Sequence, residues 1–163
     1  MGIQFTLPAQ AKLVEGLSPS ADAGGRSGAW VSLKNAIKAY VLVHVTQGNA
    51  APVTLTFQQA SDVSGTGAKA LTGNLRIWSD EDFATADALT EQTAAQSITS
   101  SAAVKHKLCV FEIIPQTVMD VNGGFDCFQV VTGASNAANI TQALYVLTPL
   151  VYQQATPPSA MIN

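Results

Sequence analysis

Apolar and polar residues alternate over several short stretches of this chain. The stretches are separated by runs rich in Gly, Pro, Ser, Asn and Asp. VTLTF is the cleanest, with Val53, Leu55 and Phe57 on one side and Thr54 and Thr56 on the other. A period of two belongs to a strand with one buried face. AYVLVHVT is β-branched and aromatic and predicts a buried strand over residues 39–46. TQGNAAP supplies a turn, so 39–46 and 53–58 are expected to pair as a hairpin. WVSLKN, LRIW, QSITSS, HKLCVFEIIP, FDCFQVVTG and ITQALYVLTPLVY predict further strands. Pro115 ends the fourth of these, and the loop ASNAAN joins the last two. Helical spacing is rare. SDEDFATADALTEQT sets Phe83, Ala86 and Leu89 three apart, behind a capping-box-like Ser79 and Asp82, and predicts a short helix. QQASDV predicts one further helical turn. Many short strands with turn signals between them predict an all-β fold, a β-sandwich or jelly roll with one or two short helices and extended terminal arms.

Three regions follow from this pattern: an N-terminal arm and loop over 1–28, a sandwich domain over 29–152 and a C-terminal arm over 153–163. In the first, IQFTLP alternates Ile3, Phe5 and Leu7, and EGLSPSADAGGRSG reads as a loop. In the last, YQQATPPSAMIN holds two adjacent prolines that favour an extended form. Met161 and Ile162 then serve as anchors, each worth about 1.5–3 kcal/mol if fully buried. The residues expected at an interface are Ile3, Phe5 and Leu7 in one arm, with Tyr152, Pro157, Pro158, Met161 and Ile162 at the other end.

Composition narrows the function. Of 163 residues, 47% are hydrophobic and 12% charged, about half the usual charged share of roughly 25%. That balance opposes disorder. Between Lys38 and Asp62 there is no charge, and none follows Asp126. Small neutral residues fill the space, as at interfaces, where Lys, Glu and Asp are depleted. The strand ITQALYVLTPLVY has few polar positions on either side, so both its faces are expected to be covered, one by a second copy. No apolar run approaches the ~18 residues of a membrane span, and no basic n-region resembles a secretory signal. A net charge of −3 with scattered basic residues gives no footprint for nucleic acid.

The search for chemistry yields little. His44 lies within a strand on the Tyr40 and Leu42 face, His106 just before another, and neither is tied to a nucleophile and an acid. GASNA lacks the final glycine of a nucleophile elbow and reads as a hairpin loop. The acids of SDED and Asp87 are not spaced as a calcium loop, and GTGAK is too short for a phosphate loop. Asn139-Ile-Thr141 fits a glycosylation sequon that occurs often by chance. Cys109 and Cys127 lie in apolar runs and read as buried free thiols on neighbouring strands. Trp30 and Trp78 fall in strands and read as core. No catalytic residue, cofactor site or metal site is expected.

The run WVSLKNAIKAYVLVHVTQGNAAPVTLTFQQASDVSGTGAKAL resembles virion structural proteins of tailed bacteriophages. VFEI, NGGFDCFQVVTG, SNAANITQALYVL and QATPPSA continue the likeness in the same order, over roughly residues 28–160. VSLKNA, QASDVSGTGAKAL and PPSA are its most specific pieces as a set. The resemblance implies a head-associated subunit that decorates or cements a capsid, often as a trimer, with no catalytic residue. Its implied partners are the major capsid protein and further copies of itself. Its implied place is the capsid exterior, after assembly in the bacterial host cytoplasm. A second reading is a virion adhesin contacting a host glycan or receptor, which would call for surface aromatics.

Overall fold

A computed structural model describes residues 6–151 and 159–161. Two antiparallel sheets pack face to face in an all-β sandwich. The first strands are β1 (Lys12–Ala21), β2 (Arg26–Ser27), β3 (Val31–Ser32), β4 (Ala39–Gln47) and β5 (Thr54–Ala60). Then come β6 (Lys69–Ala70), β7 (Leu75–Asp80), β8 (Thr90–Ala95), β9 (Ser97–Thr99), β10 (His106–Ile113), β11 (Cys127–Thr132) and β12 (Asn139–Leu147). The larger sheet runs β1-β12-β4-β10-β7-β8. The smaller runs β2-β11-β5-β6, with β3 beside β11 and β9 beside β5. The chain thus passes back and forth between sheets. With β1, β12, β4 and β10 on one side and β2, β11, β5 and β6 on the other, this is jelly-roll order. Strands β7 and β8 widen the larger sheet.

This wrapping corrects the expected hairpin. Strand β4 pairs with β10 and β12, whereas β5 pairs with β11, β6 and β9. The turn QGNAAP carries the chain from one sheet to the other. Asn139 holds it there: its Oδ1 accepts the Asn49 N–H at 2.8 Å and its Nδ2 donates to Ala51 O at 2.7 Å. Asn139 is fully buried in this role, which leaves its sequon unavailable. The loop after β11 makes a similar crossing and is not a hairpin. Cys109 and Cys127 are free and buried, but in opposite sheets rather than on neighbouring strands.

Three other elements differ from expectation. The loop read over residues 15–28 is largely β1, an edge strand that accommodates Pro19 and a register shift. Gly16 lies at that shift because a Cβ there would stand 2.4 Å from the Tyr145 ring. The helix expected from Ser79 is a single turn, closed by Ala86 N–H to Asp82 O at 3.0 Å. Its intended apolar face is not buried in the core: Phe83 and Leu89 stay exposed, 41% and 43%. QQASDV is the end of β5 and a turn in which Asp62 Oδ1 accepts from the Ser64 and Thr66 N–H groups. Among the described residues two α-helices form, one turn each, α1 (Leu7–Gln10) and α2 (Pro115–Val118), with a 3-10 turn at Val121–Gly123. WVSLKN contributes only the two residues of β3.

The core lies between the sheets. Val41, Val43 and Val45 of β4 face Leu55 and Phe57 of β5 within one buried cluster, joined by Cys109, Phe111 and Ile113 of β10. Two aromatic pairs cross the gap: Phe57 against Phe111 at 4.8 Å and Phe128 against Tyr145 at 4.9 Å. The Tyr145 hydroxyl accepts the Val130 N–H at 3.0 Å and donates to Ala29 O at 3.2 Å, which ties β12 to the smaller sheet.

Candidate functional site: the outer face of the larger sheet

Strand alternation leaves the second set of side chains on the outside of the larger sheet. Register sorts them into rows. One row reads Glu15, Leu144, Leu42, Val110, Trp78 and Glu91 across β1, β12, β4, β10, β7 and β8. Four apolar side chains therefore stand side by side between two acids. The next row toward the β4 C-terminus holds Gln142, His44, Leu108 and Asp80. Beyond it, Ile140, Thr46 and His106 form a third. Leu144 is 40% exposed and Ile140 42%, while Leu42, Leu108, Val110 and Trp78 are half-buried by one another. Within a single copy, strand β12 is thus buried on one face, and its other face stands open. Trp78 likewise belongs to this outer face, and Trp30 is half-buried at the sandwich edge.

A charged cluster closes one end of the face. The Lys38 ammonium lies 2.7 Å from Glu112 Oε1, and Arg76 reaches Glu91 at 3.0 Å and Glu112 at 3.5 Å. The Lys38 donor and the Tyr40 hydroxyl hold the Glu112 carboxyl below its ordinary range. At the other end His44 and His106 stack with ring centres 5.6 Å apart, and Phe83 meets His44 edge-on at 6.1 Å. The Phe83 N–H donates to His106 O at 2.9 Å, which folds the turn after β7 toward this pair. Burial and the neighbouring His106 push the His44 pKa down. Between the two ends lies an open depression of about 580 Å³. Leu42, His44, Leu108 and Leu144 line it from the sheet, with Glu15 and Pro19 to the β1 side and Phe83 opposite.

The smaller sheet differs in character. Thr54, Thr56, Gln58 and Gln129 face outward there, with Gln129 Nε2 donating to Gln58 Oε1 at 2.8 Å and the Thr54 and Thr99 hydroxyls paired at 2.9 Å. Its outward polar groups bond to one another across the strands.

Of the interface residues expected from sequence, Leu7 and Met161 are described. Leu7 is 39% exposed in α1 and Met161 47% exposed. Beside Met161, Ala160 is buried against its own domain, where its carbonyl accepts the Ser32 N–H at 2.8 Å. Ile3, Phe5, Tyr152, Pro157, Pro158 and Ile162 lie outside the described residues. The sheet face, which the register of β4, β10 and β12 assembles, was not among the residues expected from sequence. Among the described residues no group of three or more His, Cys, Asp or Glu could hold a metal ion. Burial pushes both Cys109 and Cys127 up to about 12, which keeps them as thiols at neutral pH.

Acid should destabilise the protein in two steps. His44 has a folded pKa below its free value of 6.5. The unfolded chain therefore binds more protons there, and stability falls as pH drops below 6.5 until His44 itself protonates. Glu112 is depressed by Lys38, and Asp82 by Lys105. Burial raises Glu81, but its Ser101 and Lys107 donors outweigh that and also leave it depressed. These carboxylates contribute stability that is present above their free values and lost as pH falls through the folded ones. Melting curves between pH 8 and pH 2 test the profile, and His44→Gln should remove the upper step alone. A melting temperature that stays flat below pH 4 would contradict the ion pairs.

No known protein family matches the chain, and no curated protein sequence does. Among solved structures, the SPBc2 prophage-derived protein YomS is similar at 10% identity and a TM-score of 0.47, over 90% of this chain and 100% of that one. A Bacteroides thetaiotaomicron protein described as sugar-binding is similar at 12% identity and a TM-score of 0.29, over 76% of this chain and 65% of that one. A chain of Desmodium yellow mottle tymovirus is similar at 10% identity and a TM-score of 0.20, over 96% and 95%. The strand order itself, rather than these likenesses, defines the fold.

Proposed function

We propose that this chain is a structural protein of a tailed-phage head, which cements the capsid from outside by binding neighbouring shell subunits as a homotrimer. The observation that supports this reading is the uncharged row Leu144, Leu42, Val110 and Trp78 on the outer face of the larger sheet. A contiguous apolar patch of this kind marks an interaction surface. The resemblance of VSLKNA, QASDVSGTGAKAL and PPSA to head-associated subunits names the partner. The subunit performs no chemistry. It acts by mass action, since a ligand that binds only the assembled shell stabilises it by RT ln(1 + [L]/Kd). Three linked copies would add avidity of ~10²–10⁴.

Heads lacking the protein, mixed with purified subunit and sedimented, test this. Wild-type subunit should co-sediment and raise the temperature at which the heads break. Leu144→Lys places a charge in the middle of the row and should weaken binding at least about tenfold, or ~1.4 kcal/mol. It should leave the fold intact, because Leu144 points away from the core. Analytical ultracentrifugation of the free subunit should give a trimer. Failure of the wild type to bind heads at any concentration would remove the reading.

A further inference from the structure

Apolar side chains also stand open at one end of the sandwich. Ala36 and Leu150 form an isolated antiparallel bridge there, and both are buried. Alternation turns their neighbours Ile37, Pro149 and Val151 outward, and all three are exposed, Ile37 at 51% and Val151 at 50%. Backbone bonds hold the two segments together: the Ile37 N–H donates to Pro149 O at 3.0 Å and the Val151 N–H to Asn35 O at 2.9 Å. Helix α1 lies beside them. Its Gln10 carbonyl accepts the Leu150 N–H at 3.4 Å and the Thr148 hydroxyl at 3.2 Å, which brings the exposed Leu7 and Pro8 to the same end. Leu7, Pro8, Ile37, Pro149 and Val151 carry no charge. Five residues, MGIQF, precede Thr6 at this end. Extended at ~3.3 Å each, they reach about 16 Å. Ile3 and Phe5 alternate in phase with Leu7. Between Gly2 and Thr6 there is no glycine, proline, asparagine or aspartate to turn the segment back over its own domain.

We propose that residues 1–5 of each copy lie across this end of the next copy, with Ile3 and Phe5 on Ile37, Pro149 and Val151. The inference rests on the head-protein reading only for the number of copies, three. Arm and patch are different surfaces, so the contact is head-to-tail, and three such contacts close a ring. The contact is apolar on both sides and gains its strength from area removed from water. It also leaves the row Leu144, Leu42, Val110 and Trp78 on the larger sheet free for the shell.

Sedimentation velocity of the full chain and two variants tests this. One variant lacks residues 2–5, and the other carries Ile37→Lys at an exposed position. The sandwich begins beyond the deleted residues and Ile37 lies outside its core, so melting curves should show both variants folded. The full chain should sediment as a trimer, and each variant should need at least about tenfold more protein to do so. A one-to-one mixture of the variants is the sharper sample. The truncated chain keeps its patch and Ile37→Lys keeps its arm, so the mixture should form one-to-one dimers at a concentration where each variant alone is monomeric. A mixture that stays monomeric would overturn the proposal, since patches that meet each other, or an arm lying on its own copy, give that result. So would a monomeric full chain, or variants that form trimers as readily as the full chain. Head binding is read separately. If the mixture forms dimers but the full chain ignores heads, the head-protein reading falls and the arm contact stands. If heads bind the full chain and the mixture stays monomeric, the arm contact falls and the head-protein reading stands.

Discussion

Replacing Phe111 with alanine should cost about 3–5 kcal/mol, the range for deleting a large buried aromatic side chain. Phe111 is fully buried at the middle of β10. Its strand is held on both sides, by β4 and by β7, so the backbone cannot close over the space left behind. Its ring meets Phe57 of the opposite sheet at 4.8 Å with planes 64° apart, an edge-to-face geometry that adds to area burial. The substitution therefore removes packing from both layers. For a chain of this size, roughly 2–4 °C of melting temperature goes with each kcal/mol, so a fall of about 6–20 °C is expected. Leu144→Ala, on the outer face of the same sheet, is the control and should move stability by less than about 1 kcal/mol. Equal effects from the two substitutions would mean that the two faces of the sheet have been assigned the wrong way round.

Lys107→Ala should cost about 2–4 kcal/mol, toward the lower end of the range for breaking a buried ion pair. The Lys107 side chain is fully buried although it carries a charge. Its ammonium donates to Ser101 O at 2.6 Å and Ser101 Oγ at 2.9 Å, and lies 2.9 Å from Glu81 Oε2. Those bonds fasten two loops, the turn after β7 and the segment after β9, to the start of β10. The loss is moderated because Glu81 is 40% exposed, and water can solvate it once the lysine is gone. Lys107→Met separates the two contributions. It restores the buried stem without the charge and should recover about half of the loss. Urea titrations of the three proteins measure this, and a change below about 1 kcal/mol for Lys107→Ala would show that the ammonium is solvated rather than tied to Ser101.

Lys107 also shows where sequence reasoning stops. Lysine is almost never buried without partners, and the partners of Lys107 lie in loops whose approach no local pattern announces. The strands built on strict alternation were legible: β4, β5, β10 and β12 lie where Val41, Leu55, Phe111 and Tyr145 place them. Alternation states which side of a strand is buried and is silent on which strand lies beside it. The six residues between β4 and β5 suit a hairpin as well as a crossing, and here β4 pairs with β10 and β12 while β5 pairs with β11 in the other sheet. Strand β1 was missed for a different reason. Gly16, Ser18, Pro19 and Ser20 are poor strand formers, and an edge strand tolerates them. Strand β8 has no buried face to write a pattern into TEQTAA. The candidate face was half legible: Ile140, Leu144 and Val146 announce an apolar second side to β12, but their alignment with Leu42, Val110 and Trp78 depends on register.

The passage of the chain between sheets has a consequence in time. Among the described residues, only β5 with β6 and β7 with β8 pair as sequence neighbours. Strand β4, at the centre of the larger sheet, waits for β10 and β12, which leave the ribosome some sixty and one hundred residues later. Strand β1 waits for β12, nearly the whole chain length away. Folding must close these long loops before contacts reward it, which places such a topology among domains that fold in milliseconds to seconds rather than microseconds. Until then Val41, Val43 and Val45 are exposed on a nascent chain with an unpaired strand edge, the condition under which chains aggregate. The chain would therefore meet its greatest hazard during synthesis, before the two sheets have closed on each other.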